Sequence, residues 1–358
     1  VSRLIRAVID TQALRHNLST IRARAGAARV LAVVKANAYG HGLVASALAL
    51  AEADGFAVAR LEEGLALRAA GISAPVVLLE GVFSTEQLEE AAHHGLDLVV
   101  HDALQIELLE QTRGTHGCVL WIKLDTGMNR LGFPVQEFAA ALERVRRLDP
   151  APREIRLMTH LASANERDDS MTQAQLARFR QATGSLKYAV SIANSAGLFG
   201  ALPLGDDWVR PGLALYGASP FADCTATELG LQPAMTLETS VIAVRRVAHG
   251  ERVGYGGAWL APRDSVIAIL AAGYGDGLHR SLQSGTPVLV GGQRAALAGR
   301  VSMDMMAVDV TGLRDVQVGT PVRLWGPGLA VDEVARHAGT IAYELLCSVS
   351  QRVPLEKR

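Results

Sequence analysis

Apolar residues run almost unbroken through eight short stretches in the first 217 residues of the chain. They are 28–35 (ARVLAVVK), 55–60 (GFAVAR), 75–81 (PVVLLEG), 96–101 (LDLVVH), 117–125 (GCVLWIKLD), 153–160 (REIRLMTH), 187–194 (KYAVSIAN) and 207–217 (DWVRPGLALYG). Runs of this length with no polar face predict strands buried on both sides, as in a parallel sheet. The segments between them are rich in Ala, Leu and Glu and alternate at helical spacing. STEQLEEAAHHG opens with a capping pair, Ser84 and Gln87, and PVQEFAAALERVRRL opens on Pro134, a residue suited to a first helical turn. Eight strand–helix repeats predict a closed (β/α)8 barrel of the TIM type. An open doubly wound sheet is the rival. It is disfavoured because no GxGxxG follows the first strand and no GxxxxGK[ST] occurs anywhere.

After about residue 228 the rhythm changes. TLETSVIAVRRV, SVIAILAAGYG, PVLVGG, MMAVDV and PVRLWG are strand-like runs joined by Gly-rich turns with little helix between them. We therefore expect a barrel over 1–228, its first ten or so residues packing with a mostly-β C-terminal domain over 229–358.

Charge and composition narrow the function. The net charge is −1 with no basic tract, which argues against nucleic acid or an anionic membrane as partner. No apolar run reaches the length of a membrane span, and the N-terminal stretch has scattered arginines in place of an apolar signal core. Cys118, Cys224 and Cys347 are odd in number and far apart, without metal-site spacing. We expect no metal, and a reducing, cytoplasmic compartment.

The polar residues fall at one place in the predicted barrel. Lys35 ends the first strand, Arg130 follows the fifth in KLDTGMNRLGF, His160 ends the sixth in MTHLASAN, Asn194 and Ser195 end the seventh, and Arg210 lies in the eighth. Each alone has an ordinary structural explanation. Together they face the C-terminal rim, where barrel chemistry resides. A lysine at the end of an apolar strand loses hydration, which favours its neutral, nucleophilic amine, the form that condenses with aldehydes. Ser195, the backbone amides near Gly212 and the Tyr39 hydroxyl offer phosphate donors on the same rim. An aldehyde-seeking lysine beside a phosphate cup suggests pyridoxal 5′-phosphate (PLP).

Over essentially its whole length the chain resembles the bacterial alanine racemases. The resemblance rests on VVKANAYGHG, WIKLDTGMNRLGF, MTHLASAN, IANSAGL, WVRPGLALYG, VGYGGAW, GYGDG, GRVSMDMMAVDV and IAYELLCSVSQRVP. It implies a PLP-dependent isomerase that interconverts L- and D-alanine by two bases, one on each face of the α-carbon, for peptidoglycan synthesis or alanine catabolism. Position by position, Lys35 would carry the cofactor and act as one base, and Tyr255 would be the other. Tyr39, Ser195, Tyr343 and the backbone of Gly212 and Leu213 would hold the phosphate. His160 would lie by the pyridine ring and hydrogen-bond Arg210, which would meet the pyridine nitrogen. Arg130 would sit beside the cofactor's phenolic oxygen and the substrate carboxylate, and Met303 would line the substrate pocket.

Lys123 shares a strand face with Asp125, and the resemblance implies that it carries a carbamate that orients Arg130. The resemblance also implies a homodimer with shared active sites, Tyr255 and Met303 serving the partner's Lys35. An arginine does not surrender its proton at ordinary pH, so Arg210 would leave the pyridine nitrogen an acceptor. That limits charge delocalisation into the ring and suppresses transamination.

Two positions depart from the family, Gly257 and Gly275, where Ala is common. Three alternatives compete. A broad-specificity racemase is the nearest, although such enzymes are typically exported. A PLP decarboxylase would pair the pyridine nitrogen with a carboxylate, and a non-catalytic PLP-binding barrel would lack the domain carrying Tyr255.

Overall fold

The computed structural model of the chain describes residues 4–112, 117–166 and 168–358. Its first strand, β1 (Arg6–Ile9), stands apart from the eight that follow: β2 (Arg29–Val33), β3 (Gly55–Val58), β4 (Val76–Leu78), β5 (Asp97–Val100), β6 (Val119–Lys123), β7 (Glu154–Met158), β8 (Ala189–Ser191) and β9 (Trp208–Val209). Those eight form one parallel sheet in the order β8-β7-β6-β5-β4-β3-β2-β9. The sheet closes between its ends: the Asp207 amide donates to the Val190 carbonyl (3.0 Å) and the Arg210 amide to the Ala193 carbonyl (2.9 Å). The (β/α)8 barrel expected from the apolar runs is therefore present.

The strands β2 to β6 are buried almost throughout, because helices cover the outside and side chains fill the inside. Towards the N-terminal end of the barrel, the buried Arg156 guanidinium lies 4.9 Å from the Trp121 ring and 4.6 Å from the Trp208 ring, and its charge pairs with Glu154.

Two expected strands end early, and both shortenings shape the functional end. The run 207–217 pairs only over Trp208–Val209. Pro211 has no N–H for a ladder, and the chain turns at Gly212 into a 3-10 helix, Leu213–Tyr216. The first barrel strand stops at Val33, and Lys35 opens a short helical segment, Lys35–Tyr39, instead of ending the strand.

The second sheet is antiparallel except at one edge. Its strands are β10 (Met235–Val247), β13 (Ser265–Leu270), β14 (Pro287–Val290), β15 (Gln293–Leu297), β16 (Met306–Asp309), β17 (Pro321–Trp325) and β18 (Leu355–Lys357). β10 pairs with both β17 and β13, so six strands close into a ring. β1 lies alongside β10 antiparallel, and β18 lies alongside β1 parallel. Of the first ten residues, 1–3 lie outside the described residues, while 6–9 belong to this sheet. A small separate hairpin, β11 (Arg252–Val253) and β12 (Trp259–Leu260), carries the turn Tyr255–Gly257 at its tip. Among the described residues no helix is long and apolar enough to cross a membrane.

Candidate active site

A cavity of about 660 Å³ opens at the C-terminal ends of the barrel strands. Lys35, Tyr39, Lys123, Arg130, His160, Ser195, Arg210, Gly212 and Tyr343 all line it. Residues scattered over three hundred positions thus meet at one rim.

Lys35 stands at the entrance to an unusual turn. Ala36 (φ 54°, ψ 53°), Asn37 (54°, 42°) and Ala38 (53°, 51°) are left-handed helical, and Tyr39 follows at φ 52°. For residues with a Cβ this conformation costs about 1–2 kcal/mol each. Surrounding groups hold it. Glu63 Oε1 accepts from the Ala36 amide (2.6 Å), and Asn37 Oδ1 accepts from the Leu43 amide (2.8 Å). His41 is fully buried beneath the turn, and its Nδ1–H is shared between the carbonyls of Tyr39 (2.9 Å) and Ala38 (3.1 Å). Gly40 is required at the end, since a Cβ there would sit 2.2 Å from the Leu346 carbonyl oxygen. The Lys35 amine is held below its ordinary pKa, first by burial and then by the Arg130 charge, with Glu80 and Glu63 opposing.

The turn delivers Tyr39 to the opposite wall. Its ring stacks on Tyr216 (4.7 Å between centroids) and tilts against Tyr343 (5.8 Å). Its hydroxyl lies so close to Gly212 that a Cβ on that glycine would be 2.3 Å away. Beside it, Ser195 Oγ accepts from the amides of Gly212 (3.0 Å) and Ala214 (3.3 Å), on either side of Leu213. Backbone amides, two tyrosines and a serine thus make a compact cup of neutral donors suited to a phosphate. Burial pushes the Tyr39 hydroxyl well up, and burial with the Asp332 charge lifts Tyr343 to about 12, so both remain donors.

The opposite end of the cavity is cationic. Arg210 is fully buried. It donates to Ser191 Oγ, to the Thr159 carbonyl (2.6 Å) and to the Ile192 carbonyl (3.3 Å). The expected bond to His160 is not among these. His160 is instead held well below its ordinary pKa by burial and then by the neighbouring Arg210, Lys123 and Arg130 charges, which favours a neutral ring. Lys123 is buried and drawn down to about 8 by burial, then by Arg210 and Arg130, with Asp125 opposing. Asp125 mainly serves the loop: its Oδ1 accepts from the amides of Gly127 (2.8 Å), Met128 (3.0 Å) and Asn129 (3.2 Å). That carboxylate sets the segment carrying Arg130, which makes no hydrogen bond or ion pair among the described residues.

The cavity fits PLP by its donor chemistry. The close approach of Tyr39 to Gly212 and the converging amides suit the phosphate. The amine of Lys35 suits the aldehyde, and the fixed guanidinium of Arg210 suits a ring nitrogen acting as acceptor. Among the described residues no group of three or more His, Cys, Asp or Glu side chains is placed to hold a metal.

Two expected site residues stand elsewhere. Tyr255, at the tip of the β11–β12 hairpin, is 69% exposed, and Met303 is 54% exposed; neither lines the cavity. The Met303 carbonyl accepts from the Gly275 amide (2.8 Å), tying its loop to the GYGDG segment. Sequence reading passed over several groups that shape the site: the anchors Ser191 and Thr159 of Arg210, the Ala214 amide, His41, and the Cys347 thiol in the cavity wall. All but Ser191 lie inside the motifs that carry the resemblance, which was the available signal.

Residues 9–220 match the family described as alanine racemase, N-terminal domain, and residues 234–357 match alanine racemase, C-terminal domain. The chain is 51% identical over 350 residues to an alanine racemase of Nitrosococcus oceani, covering 97% of this chain and 98% of that one. It is 49% identical to the catabolic alanine racemase of Pseudomonas putida, covering 98% of each. The crystal structure of the biosynthetic alanine racemase from Pseudomonas aeruginosa superposes with a TM-score of 0.97 at 47% identity, covering 100% of both chains.

Proposed function

The chain belongs to the alanine racemase family, and on that premise we propose that it draws its two bases from two copies of itself, Lys35 of one barrel and Tyr255 of the partner's β domain. It is a PLP-dependent isomerase interconverting L- and D-alanine, feeding D-alanine to peptidoglycan or drawing on alanine as food. We place the division between barrel and β domain at residues 228–229. We place the protein in the cytoplasm, which the free thiols of Cys118, Cys224 and Cys347 suit.

Bound PLP supplies the electron sink that makes the α-proton of alanine removable. Inversion then needs a base on each face of the α-carbon. Lys35 serves one face, carrying the cofactor on its ε-amine, and its lowered pKa favours the neutral form that accepts a proton. Tyr255 serves the other, and the two exchange roles with reaction direction. Tyr39, Ser195, Tyr343 and the backbone of Gly212 and Leu213 would hold the phosphate. Arg210 presents only donors to the ring nitrogen and so keeps it unprotonated. Met303 shapes the pocket beside the partner's cofactor.

Arg130 binds the substrate carboxylate. We assign it a second anionic partner, a carbamate on Lys123. A neutral amine attacks carbon dioxide at its carbon and releases one proton. The depressed pKa of Lys123 supplies that neutral amine near pH 8, and the neighbouring Arg210 and Arg130 guanidiniums favour the anionic product.

The observation that carries the shared-site reading is the position of Tyr255, exposed at a hairpin tip and outside the cavity that contains Lys35. A mixed dimer of Lys35→Ala and Tyr255→Phe chains tests it. One of its two sites retains both bases, so activity should return where each homodimer is inactive. No rescue, with heterodimer formation demonstrated, contradicts the reading.

A further inference from the structure

Arg210 is a fully buried cation with no carboxylate within ion-pair distance among the described residues. Such a charge is costly unless something balances it. Among the described residues the one anion raising its affinity for a proton is Asp206, four residues earlier on the far side of the barrel wall. The two are joined by a single peptide unit. The Ile192 carbonyl accepts from Arg210 Nη2 (3.3 Å), and the amide of the same unit, Ala193 N–H, donates to Asp206 Oδ1 (3.0 Å). The Ile192 amide also donates to Oδ1, while the Ala193 carbonyl accepts from the Arg210 amide (2.9 Å).

The peptide dipole therefore lies aligned between cation and anion, the arrangement in which linked hydrogen bonds strengthen one another. The second carboxylate oxygen, Oδ2, is buried without a hydrogen-bond partner, so Asp206 is not there to satisfy a full set of local donors. Its neighbour Asp207 does that work at the strand ends, accepting from the Val190 amide (2.8 Å).

We propose that Asp206 is a positioning residue for Arg210, acting through the Ile192–Ala193 peptide to fix the guanidinium and balance its charge. The role rests on the reading that places Arg210 against the cofactor's ring nitrogen. On the cavity side the titratable groups near Arg210 are Lys123 and His160, both held towards neutrality; behind the wall they are Asp207 and Asp206, whose carboxyl is pushed up by burial while the Ile192 and Ala193 amides and the Arg210 charge oppose that and favour its anion.

Asp206→Asn keeps an oxygen for the two amides and removes only the charge. In the purified holoenzyme it should leave the melting temperature near that of the parent and displace the absorption band of bound PLP. It should also lower kcat about tenfold with KM within about twofold, as for an interaction that matters chiefly in the transition state. Arg210→Gln should displace the band as well. The double variant should match Arg210→Gln alone, since two residues acting as one unit are not additive.

A parental band and kcat in Asp206→Asn, beside a displaced band in Arg210→Gln, overturn the role of Asp206 alone. A parental band in both overturns the placement of Arg210 at the ring. Asp206→Glu restores the charge and should return the band. If Asn and Glu variants lower the melting temperature alike and neither moves the band, the residue is structural and the proposal fails.

Discussion

The barrel rim and the Tyr255 hairpin are built on opposite terms. At the rim, two lysines, two arginines and a histidine meet in one cavity lined from seven strands or the loops after them: Lys123 and Arg210 are buried, Lys35 and His160 half-buried, and Arg130 stands at the exposed edge. At the hairpin, Tyr255 stands on a turn of three residues, two of them glycine at positive φ, with most of its surface open. The difference separates two tasks. Holding a cofactor and shifting the pKa of its lysine require desolvation, which a barrel supplies from within one chain. Delivering a base to the far face of the α-carbon requires an element that reaches in from outside. On the shared-site proposal, a half-site this exposed is completed by the partner's barrel.

The sharpest way to break this contrast is to disable each half separately. Lys35→Ala should lose both cofactor attachment and racemisation. Tyr255→Phe should bind PLP with parental affinity yet lose about 10³-fold in rate, the usual range for a general acid–base group. Cofactor titration beside racemisation in both directions reads the outcome. A Tyr255→Phe chain that fails to bind PLP would show that the hairpin also holds the cofactor.

Arg210→Glu comes next. It places a carboxylate at the ring nitrogen, which should then hold a proton, so half-transamination should rise. Unchanged pyruvate formation from alanine counts against that assignment.

Lys123 offers a pH test confined to the barrel. As a bare amine it has a folded pKa of about 8 against 10.5 unperturbed. Between these values the unfolded chain binds more protons than the folded one, so stability in carbon dioxide-free buffer should rise with pH across the window. It should be lowest below pH 8. Bicarbonate, by converting the amine to a carbamate, should flatten the rise. A denaturation midpoint indifferent to bicarbonate across this range contradicts carbamylation.

The smallest effects sharpen the comparison through glycine. Gly212→Ala drives a Cβ to within 2.3 Å of the Tyr39 hydroxyl in a packed wall, and PLP affinity should fall by about tenfold. Gly275→Ala meets the Arg352 guanidinium at 2.7 Å and the Met303 carbonyl oxygen at 3.1 Å; moving that guanidinium loosens its ion pairs with Asp276 and Asp304, so stability should fall by about 1 kcal/mol while PLP affinity stays near parental. Isothermal binding and thermal melts distinguish the two. Equal losses at both sites would mean that the β domain is packed as tightly as the rim.

Much of this was legible before any coordinates. The barrel follows from eight apolar runs, because a strand covered on both faces leaves a continuous signature. The rim follows from where the polar residues interrupt those runs. What stayed hidden is local backbone geometry. In Ala36–Tyr39 only Asn37 tolerates a left-handed conformation readily; the run of four is imposed by His41, Glu63 and the Leu346 carbonyl, which are distant contacts or a buried ring that sequence spacing does not reveal. The early end of β9 was signalled by Pro211 and Gly212, but the apolar run continuing through Leu213 to Tyr216 masked it. Arg210 was recognised and its anchors were not, because the Ser191 hydroxyl and the Thr159 carbonyl reach it from neighbouring strands, a contact that spacing along the chain does not display. The two departures from the family separate in the same way: Gly257 sits at φ 55°, where a Cβ is strained, whereas Gly275 does not need positive φ.

The pairing of β1 with β10 and β18 bears on how the molecule is made. Residues 6–9 leave the ribosome well before both their neighbours in the sheet, which come from 235–247 and 355–357. At translation speeds of about 5–20 residues per second, β1 waits roughly 20 to 70 s for its last partner. The barrel between them can assemble meanwhile, and the arrival of β18 then completes the second sheet around a segment synthesised more than three hundred residues earlier.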